Sequence, residues 1–413
     1  MLRKDVEGVA RLQLHVSSEI GRLKAVLLHR PGKELERLTP EFLNELLFDD
    51  IPWLKRIQEE HDKFAEALAE NGVQVYYLED LLEEVLQDKD IREFFVYDLV
   101  SYMNTSLEVK REITAFLKEK EPKELVYYAI AGLLKKDLSE VRPKSLVDYV
   151  YEDSPFFITP LPNSYFMRDP AAVVGSRVII SSMKTEARRR EAMLMKYVFK
   201  YHEKFRENHD KMLYDYRADY PIEGGDILVL SKNVVAIGIS ERTSPQAVEE
   251  VATSLLARGE TEKIIAIEIP RKRTFMHLDT VFTMVDVDKF LIYPSIKDKL
   301  RVYTITKGEN GSIKVKSEEN FVKVLETSLK LDKVTLIESG GGDEITGARE
   351  QWNDSTNTLA IAPGVVMAYN RNEITNTTLR EHGIEVVEIE GSELVRGRGG
   401  PRCMSMPLLR EEI

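Results

Sequence analysis

Five residues of this sequence have side chains that could act together on one bond. Cys403, the single cysteine, lies in RGRGGPRCMSMPL (396–408). The glycines and proline before it make a loop whose backbone can take unusual angles and come close to a ligand. Arg402 and the arginines upstream favour a thiolate, the reactive form of the group. The plainer reading is a small buried hydrophobe. His277 and Asp279 form His-x-Asp in HLDTVFTMVD, which reads as the start of a strand. Side chains on a strand alternate with period two, so an acid/base group and an anion share one face. His15, His29, His61, His202, His209 and His382 lack a comparable setting. Glu223 opens EGGD (223–226), where two glycines permit a tight turn before ILVL and place a carboxylate at a strand mouth. Asp169 ends NSYFMRD just before the strand AAVV. Taken singly, these last two patterns are more often structural than catalytic.

Together they make a cysteine, a histidine and three carboxylates, all at strand mouths. A guanidinium matches such a set, because it is planar, always charged and offers five N–H donors in a fork. Asp169 and Asp279 could each hold two of its nitrogens by charge-assisted bonds, leaving the central carbon beneath the Cys403 sulfur. Positioning of this kind can lower a barrier by roughly 7–11 kcal/mol. A histidine nearby can protonate departing ammonia and then take a proton from water, with a covalent thiouronium between the two steps.

Residues so far apart in sequence need a scaffold that brings strand mouths to one place. A strand–turn–strand unit recurs five times, often followed by a helix: LKAVLLHRPG (23–32), DPAAVVGSRVIIS (169–181), GGDILVLSKNVVAIGIS (224–240), LDTVFTMVDVDKFLIYP (278–294) and NTLAIAPGVVMAYNR (357–371). Gly, Asn and Asp at the turns suit hairpins. The recurrence of Gly224-Gly225-Asp226 as Gly341-Gly342-Asp343 is read as an echo of the repeat. Residues 186–205 and 244–259 have helical apolar spacing, and Ser244-Pro245 makes a good helix start. Five such units suggest a closed, radial α/β domain; an ordinary mixed sheet with hairpins is the alternative. Between residues 78 and 151 the strand signal stops, and about five amphipathic helical segments follow one another, the last long one being KELVYYAIAGLLKKDL. The reading is therefore a catalytic α/β domain of residues 1–78 and 152–413, with a helical domain of residues 79–151 inserted into it. LRVYTITKGENGSIKVKS (300–317) reads as one extra hairpin.

The composition, 43% hydrophobic and 31% charged over 413 residues, allows a sizeable core. A net charge of −12 argues against a nucleic-acid partner. No apolar run reaches the roughly 20 residues a membrane helix needs. Residues 1–16 show no secretory leader pattern. One cysteine permits no internal disulfide, so a reducing, cytoplasmic setting is expected.

The motifs NSYFMRDP, EGGD, HLDTVF, AREQWNDSTNTLAIAPG (348–364) and GRGGPRCMSMPL occur in one order and end in a terminal cysteine. In this the chain resembles the arginine deiminases along nearly its whole length. The resemblance implies a five-bladed α/β propeller with pseudo-fivefold symmetry and an inserted α-helical bundle. It implies hydrolysis of L-arginine by water to L-citrulline and ammonia. Cys403 would be the nucleophile and His277 the general acid and base, Asp169 and Asp279 would grip the guanidinium, and Glu223 would orient His277. Asn163 and Phe166 match positions lining the substrate site. Arg188 and Arg242 match arginines that bind the α-carboxylate, and Arg398 matches a mobile arginine on a closing loop. No metal or organic cofactor is implied, and relatives are often dimers or tetramers. Met167 and Ser164 depart from the usual Thr and apolar residue, at positions that carry no chemistry. The segment LLFDDIPW (46–53) reads only as a loop–helix junction.

Other activities compete. Agmatine deiminase would not need the carboxylate-binding arginines, an amidinotransferase would use an amine in place of water, and a dimethylarginine hydrolase lacks the long insertion. A metal hydrolase built on His277, Asp279 and Glu223 and a non-catalytic arginine-binding protein are readings from other classes.

Overall fold

The computed structural model describes residues 11–272 and 274–413. The leader reading falls mostly on residues 1–10, outside the described residues.

The fold is mixed α/β, and five of its sheets repeat one pairing scheme. Ala171–Val174 pairs antiparallel with Arg177–Ile180, which pairs parallel with Met212–Tyr214. Ile227–Ser231, Val234–Ile239 and Lys263–Glu268 pair in the same way. So do Phe282–Met284, Lys289–Ile292 and Thr335–Glu338, and Leu359–Ala362, Val365–Tyr369 and Glu385–Ile389. In the fifth, Met406–Arg410 pairs antiparallel with Leu23–Leu28, which pairs parallel with Gln74–Tyr77. The first unit read from sequence thus supplies a single strand, and its hairpin partner comes from the other end of the chain. A tight turn joins each antiparallel pair in the other four sheets, whereas the parallel third strand needs a crossover. Helices supply it: Arg189–Tyr201, Pro245–Arg258, Phe321–Leu329, Glu373–Glu381 and Leu54–Glu70.

Local sequence explains these elements. ILVL and VVAIGI are β-branched and apolar on both faces, and both faces are buried, as befits strands covered on each side. Helix Pro245–Arg258 starts where Ser244 Oγ accepts from the Ala247 N–H at 3.2 Å and stops at Gly259, φ 71°. The hairpin read at 300–317 is Arg301–Lys307 with Ile313–Glu318, and it widens the second sheet to five strands.

The segment between Leu78 and Val150 is mainly helical, with Leu78–Val85, Lys89–Ser101, Leu107–Lys118, Pro122–Ala131 and Leu146–Val150. Its last long helix is shorter than the sequence reading. Gly132 at φ 83° ends it, and Leu133–Leu134 then pairs with Phe156–Ile158. Buried Leu82, Phe95, Leu99, Ile113 and Leu125 belong to the same apolar cluster as Val178, Leu194 and Val198 of the first α/β unit. The Gly-Gly-Asp echo does not hold. Gly224–Asp226 is a buried turn leading into a strand, while Asp343 caps helix Glu344–Trp352. No helix among the described residues is long and apolar enough to cross a membrane.

Candidate active site

In each of the five sheets one strand of the antiparallel pair lies at the sheet edge, and a short turn precedes it. The five turns carry Asp169, Glu223, His277 with Asp279, Asn357, and Cys403. Hydrogen bonds link them in a closed ring. Gly224 N–H donates to Asp169 O at 2.9 Å, and Leu278 N–H donates to Asp226 Oδ1 at 2.7 Å. Asn357 Nδ2 donates to Asp279 O at 3.2 Å, Cys403 N–H to Asn357 Oδ1 at 2.8 Å, and Arg168 N–H to Cys403 O at 3.0 Å. The backbone therefore sets the spacing of the functional groups, and each turn is fixed by its neighbours on both sides.

The side chains converge as expected, although His277 and Asp279 do so for another reason than the one read from sequence. They lie at and within a short 3-10 turn, Leu278–Thr280, ahead of the strand that begins at Phe282. The turn brings them to one site, and strand alternation plays no part. His277 Nε2 lies 2.7 Å from Glu223 Oε2, and His277 Nδ1 lies 3.6 Å from Asp169 Oδ1. Burial would lower the His277 pKa, but Asp169 and Glu223 outweigh it and raise it to about 9. Burial likewise acts to raise the Glu223 carboxyl, and Arg242 and His277 overcome it and hold it at about 2. The Glu223–His277 pair is thus a buried carboxylate and imidazolium.

Cys403 Sγ donates to Asp279 Oδ2 at 3.7 Å. Its thiol is pushed well above the usual range by burial and by Asp279, Asp169 and Asp354. The thiolate expected from Arg402 is outweighed. The Arg402 guanidinium does act to lower the Cys403 pKa, but it donates to Glu19 Oε2 (3.0 Å) and to Asp279 Oδ2 (2.7 Å), the oxygen that faces the thiol, and burial and the carboxylates prevail. The upstream arginines are also engaged elsewhere: Arg396 pairs with Asp50, and Arg398 lies 3.5 Å over the Trp352 ring and 3.8 Å from Asp49.

Asp169 and Asp279 each have one oxygen occupied, by Arg188 Nη1 at 2.6 Å and Arg402 Nη1 at 2.7 Å. The Oδ1 of each is buried without a hydrogen-bond partner among the described residues. The expected two-nitrogen grip on each carboxylate narrows to one oxygen from each. Around them, Asn163, Phe166, Arg188, Arg242, Leu47, Met276, Gly397 and Arg398 complete the lining. The space they enclose is ≈ 20 Å³, enough for about one water. Arg242 Nη1 is buried and has no hydrogen-bond partner among the described residues, whereas Arg188 is shared between Asp169 and Glu191.

Sequence reasoning missed three contributors. Asn357 lies within a noticed motif, but its bonds to Cys403 and Asp279 span segments far apart in the chain. Asp226, the last letter of EGGD, holds the backbone between His277 and Asp279. LLFDDIPW, read as a junction, forms a wall: Leu46 O accepts from Asn163 Nδ2 at 2.8 Å, Leu47 lines the pocket, and Asp49 and Asp50 reach toward Arg398 and Arg396. Among the described residues no group of three or more His, Cys, Asp and Glu could hold a metal ion.

The chain shares its fold with enzymes that modify guanidines. The N-terminal domain of ArgZ, an arginine dihydrolase from the ornithine-ammonia cycle in cyanobacteria, superposes with a TM-score of 0.53 at 14% identity, over 94% of this chain and 97% of that one. A dimethylarginine dimethylaminohydrolase in an adduct with S-methyl-L-thiocitrulline gives 0.52 at 16% identity, over 93% and 99%. At such identities the likeness establishes fold alone. The sequence goes further. The family model for arginine deiminase matches residues 44–410. The arginine deiminase of Staphylococcus haemolyticus is 50% identical over 407 residues, and that of Bacillus thuringiensis subsp. konkukian is 48% identical over 406, each alignment covering 97% of this chain and 99% of the relative. The chain belongs to the arginine deiminase family, and its reaction is the hydrolysis of L-arginine to L-citrulline.

Proposed function

We propose that this reaction runs through a covalent adduct on Cys403, within a five-bladed propeller whose turns form the hydrogen-bonded ring described above. The observation that carries the mechanism is that Asp169, His277 and Cys403 line one pocket, with Glu223 bonded behind His277, Asp279 against the Cys403 thiol, and Asp169 Oδ1 and Asp279 Oδ1 buried without a hydrogen-bond partner among the described residues. Repetition of one pairing scheme in five sheets, with the chain ends joined in the fifth, supports the radial arrangement. Residues 79–151 would be a helical insertion into a catalytic unit of residues 1–78 and 152–413. A cytoplasmic homo-oligomer, dimer or tetramer, completes the proposal, and light scattering tests its size.

In this account the substrate guanidinium donates to Asp169 Oδ1 and Asp279 Oδ1. Its positive charge offsets the carboxylates that hold the Cys403 proton, and that proton leaves to solvent. Sγ then bonds to the central guanidinium carbon. His277, already charged, protonates the departing nitrogen, the C–N bond breaks, and ammonia leaves a thiouronium on the enzyme. His277, now neutral, takes a proton from attacking water. The new C–O bond becomes the citrulline carbonyl as the C–S bond breaks and the thiol is restored. Arg242, whose Nη1 lies 3.6 Å from Glu223 Oε2 and makes no hydrogen bond among the described residues, takes the α-carboxylate, helped by Asn163, Arg188 and Arg398, while Phe166 lines the aliphatic chain. Because the pocket is so small, arginine enters when the wall of Leu47, Gly397 and Arg398 moves aside.

Acid-quenching the enzyme during turnover tests this. Mass analysis of the peptide bearing Cys403 should show an addition equal to arginine less ammonia. An adduct on any other side chain would sink the proposal. Agmatine, which lacks the carboxylate, should be turned over at least about 100-fold less efficiently if buried arginines hold that group.

A further inference from the structure

A second cavity, ≈ 750 Å³, lies between the inserted helices and the first α/β unit. This is within the size range of small-molecule sites, which pair an apolar lining with a few placed polar groups. Tyr102, Met103 and Phe157 supply apolar and aromatic surface. The buried charge in the lining is less usual. Arg190 is only 5% exposed and donates to Ala129 O at 3.0 Å, to Thr159 O, and to Thr159 Oγ1 at 3.1 Å. All three acceptors are neutral. The neighbouring carboxylate, Glu191, is occupied by Arg188. Burial brings the Arg190 pKa down to about 10, against the opposing influence of Tyr102 and Glu191.

The other charged groups do not neutralise it. Asp148, the one other buried charged residue of the lining, accepts from Thr105 Oγ1 and from the N–H groups of Ser106, Lys144 and Ser145. Glu45, Glu152 and Glu186 sit at the exposed rim together with Lys136 and Arg142. Thr185 Oγ1, in the lining of the same cavity, is buried with no hydrogen-bond partner among the described residues. A buried guanidinium without a counter-charge is costly, and the unsatisfied hydroxyl offers a second donor to a ligand there.

We propose that this cavity is a second ligand site, taking an organic anion whose acidic group pairs with Arg190 and Thr185 and whose aromatic or aliphatic body lies against Tyr102, Met103 and Phe157. The site shares walls with the catalytic pocket. Leu46 lines the cavity and binds Asn163 through its carbonyl, while Leu47 lines the pocket. Thr185, Glu186 and Ala187 line the cavity, and the next residue, Arg188, lines the pocket. A bound anion therefore acts on Asn163 and Arg188 and shifts the KM for arginine more than kcat. This coupling rests on the substrate pocket proposed above; binding of the anion does not.

The test uses anilinonaphthalene sulfonate, an aromatic sulfonate that fluoresces when it leaves water. The full-length enzyme should show one saturable site that citrulline does not displace. Affinity should fall at least about tenfold in Arg190→Met, which removes the charge-assisted pair. It should fall equally in Ser139→Trp, which adds bulk at the exposed rim, away from the core, and should turn over arginine as wild type does without the probe. In wild type the probe should shift the KM for arginine, and in Ser139→Trp it should not. No saturable signal, a signal untouched by Ser139→Trp, or complete competitive displacement by citrulline would overturn the site, whereas a limited change in probe affinity with citrulline is the reciprocal of the coupling. Probe binding with an unchanged KM would overturn the coupling alone.

Discussion

At the scale of single residues, charge decides what each group can do. Burial together with Asp279, Asp169 and Asp354 acts to hold the proton on Cys403. The free enzyme should therefore show no thiolate absorbance at neutral pH, and a Cys403→Ser difference spectrum should be flat there. A thiolate signal at pH 7 without substrate would contradict this. His277 stands in the opposite position. With its pKa raised to about 9, it is the charged acid across the neutral range, and kcat/KM should decline as pH rises through 9. Removing the Glu223 charge takes away one of the carboxylates that raise it, so Glu223→Gln should move the alkaline limb to lower pH as well as cut the rate. A limb unmoved by Glu223→Gln would remove His277 from the acid role. The same shift links to stability. A raised folded-state pKa means that the charged His277 contributes in full below pH 6.5, its ordinary value, and that the contribution is lost as pH rises through about 9.

At the scale of elements, the turns do the positioning, and the sequence announced them unevenly. Gly-Gly in EGGD was readable because a turn that tight needs residues without Cβ. The structure shows why: a Cβ on Gly225 would lie 2.7 Å from His277 Cγ and 2.8 Å from Asp169 Oδ1. Gly225→Ala should leave the protein folded by circular dichroism while lowering kcat about 100-fold, the scale of a 1 Å misplacement. Near-normal turnover would show that the turn is looser than described. The Asp-Pro of Asp169-Pro170 and the Gly-rich approach to Cys403 were legible for the same kind of reason. Asn357 and Asp226 were not, since their value lies in bonds to turns of other sheets. The pull of Arg402 on Cys403 was legible from adjacency, whereas the carboxylates that outweigh it, Asp279, Asp169 and Asp354, come from distant segments. His277 and Asp279 were placed together correctly on a mistaken local geometry.

At the scale of the molecule, hairpins within one segment could be read, whereas the fifth sheet could not. It pairs Met406–Arg410 with Leu23–Leu28, from opposite ends of the chain, and no local pattern specifies such a contact. The relation between the helical segment and the sheets was also hidden, because amphipathic spacing shows that a face is buried but not against what. Here that face merges with the core of the first α/β unit. Phe95, fully buried in the helical segment, is therefore a residue of the common core. Phe95→Ala should cost about 3–5 kcal/mol. In urea, circular dichroism and citrulline-forming activity should be lost at one common midpoint. An early helical transition with activity intact would show that the insertion folds on its own.

The account of catalysis rests on one assignment, that Cys403 makes and breaks the bond to substrate. Citrulline release by Cys403→Ala, measured beside wild type in EDTA and with retention of fold checked, tests it most directly. The account predicts steady citrulline from wild type and none from the folded variant. Citrulline from folded Cys403→Ala at a rate near that of wild type would contradict it, and the reacting group would then have to be sought among the remaining side chains of the pocket.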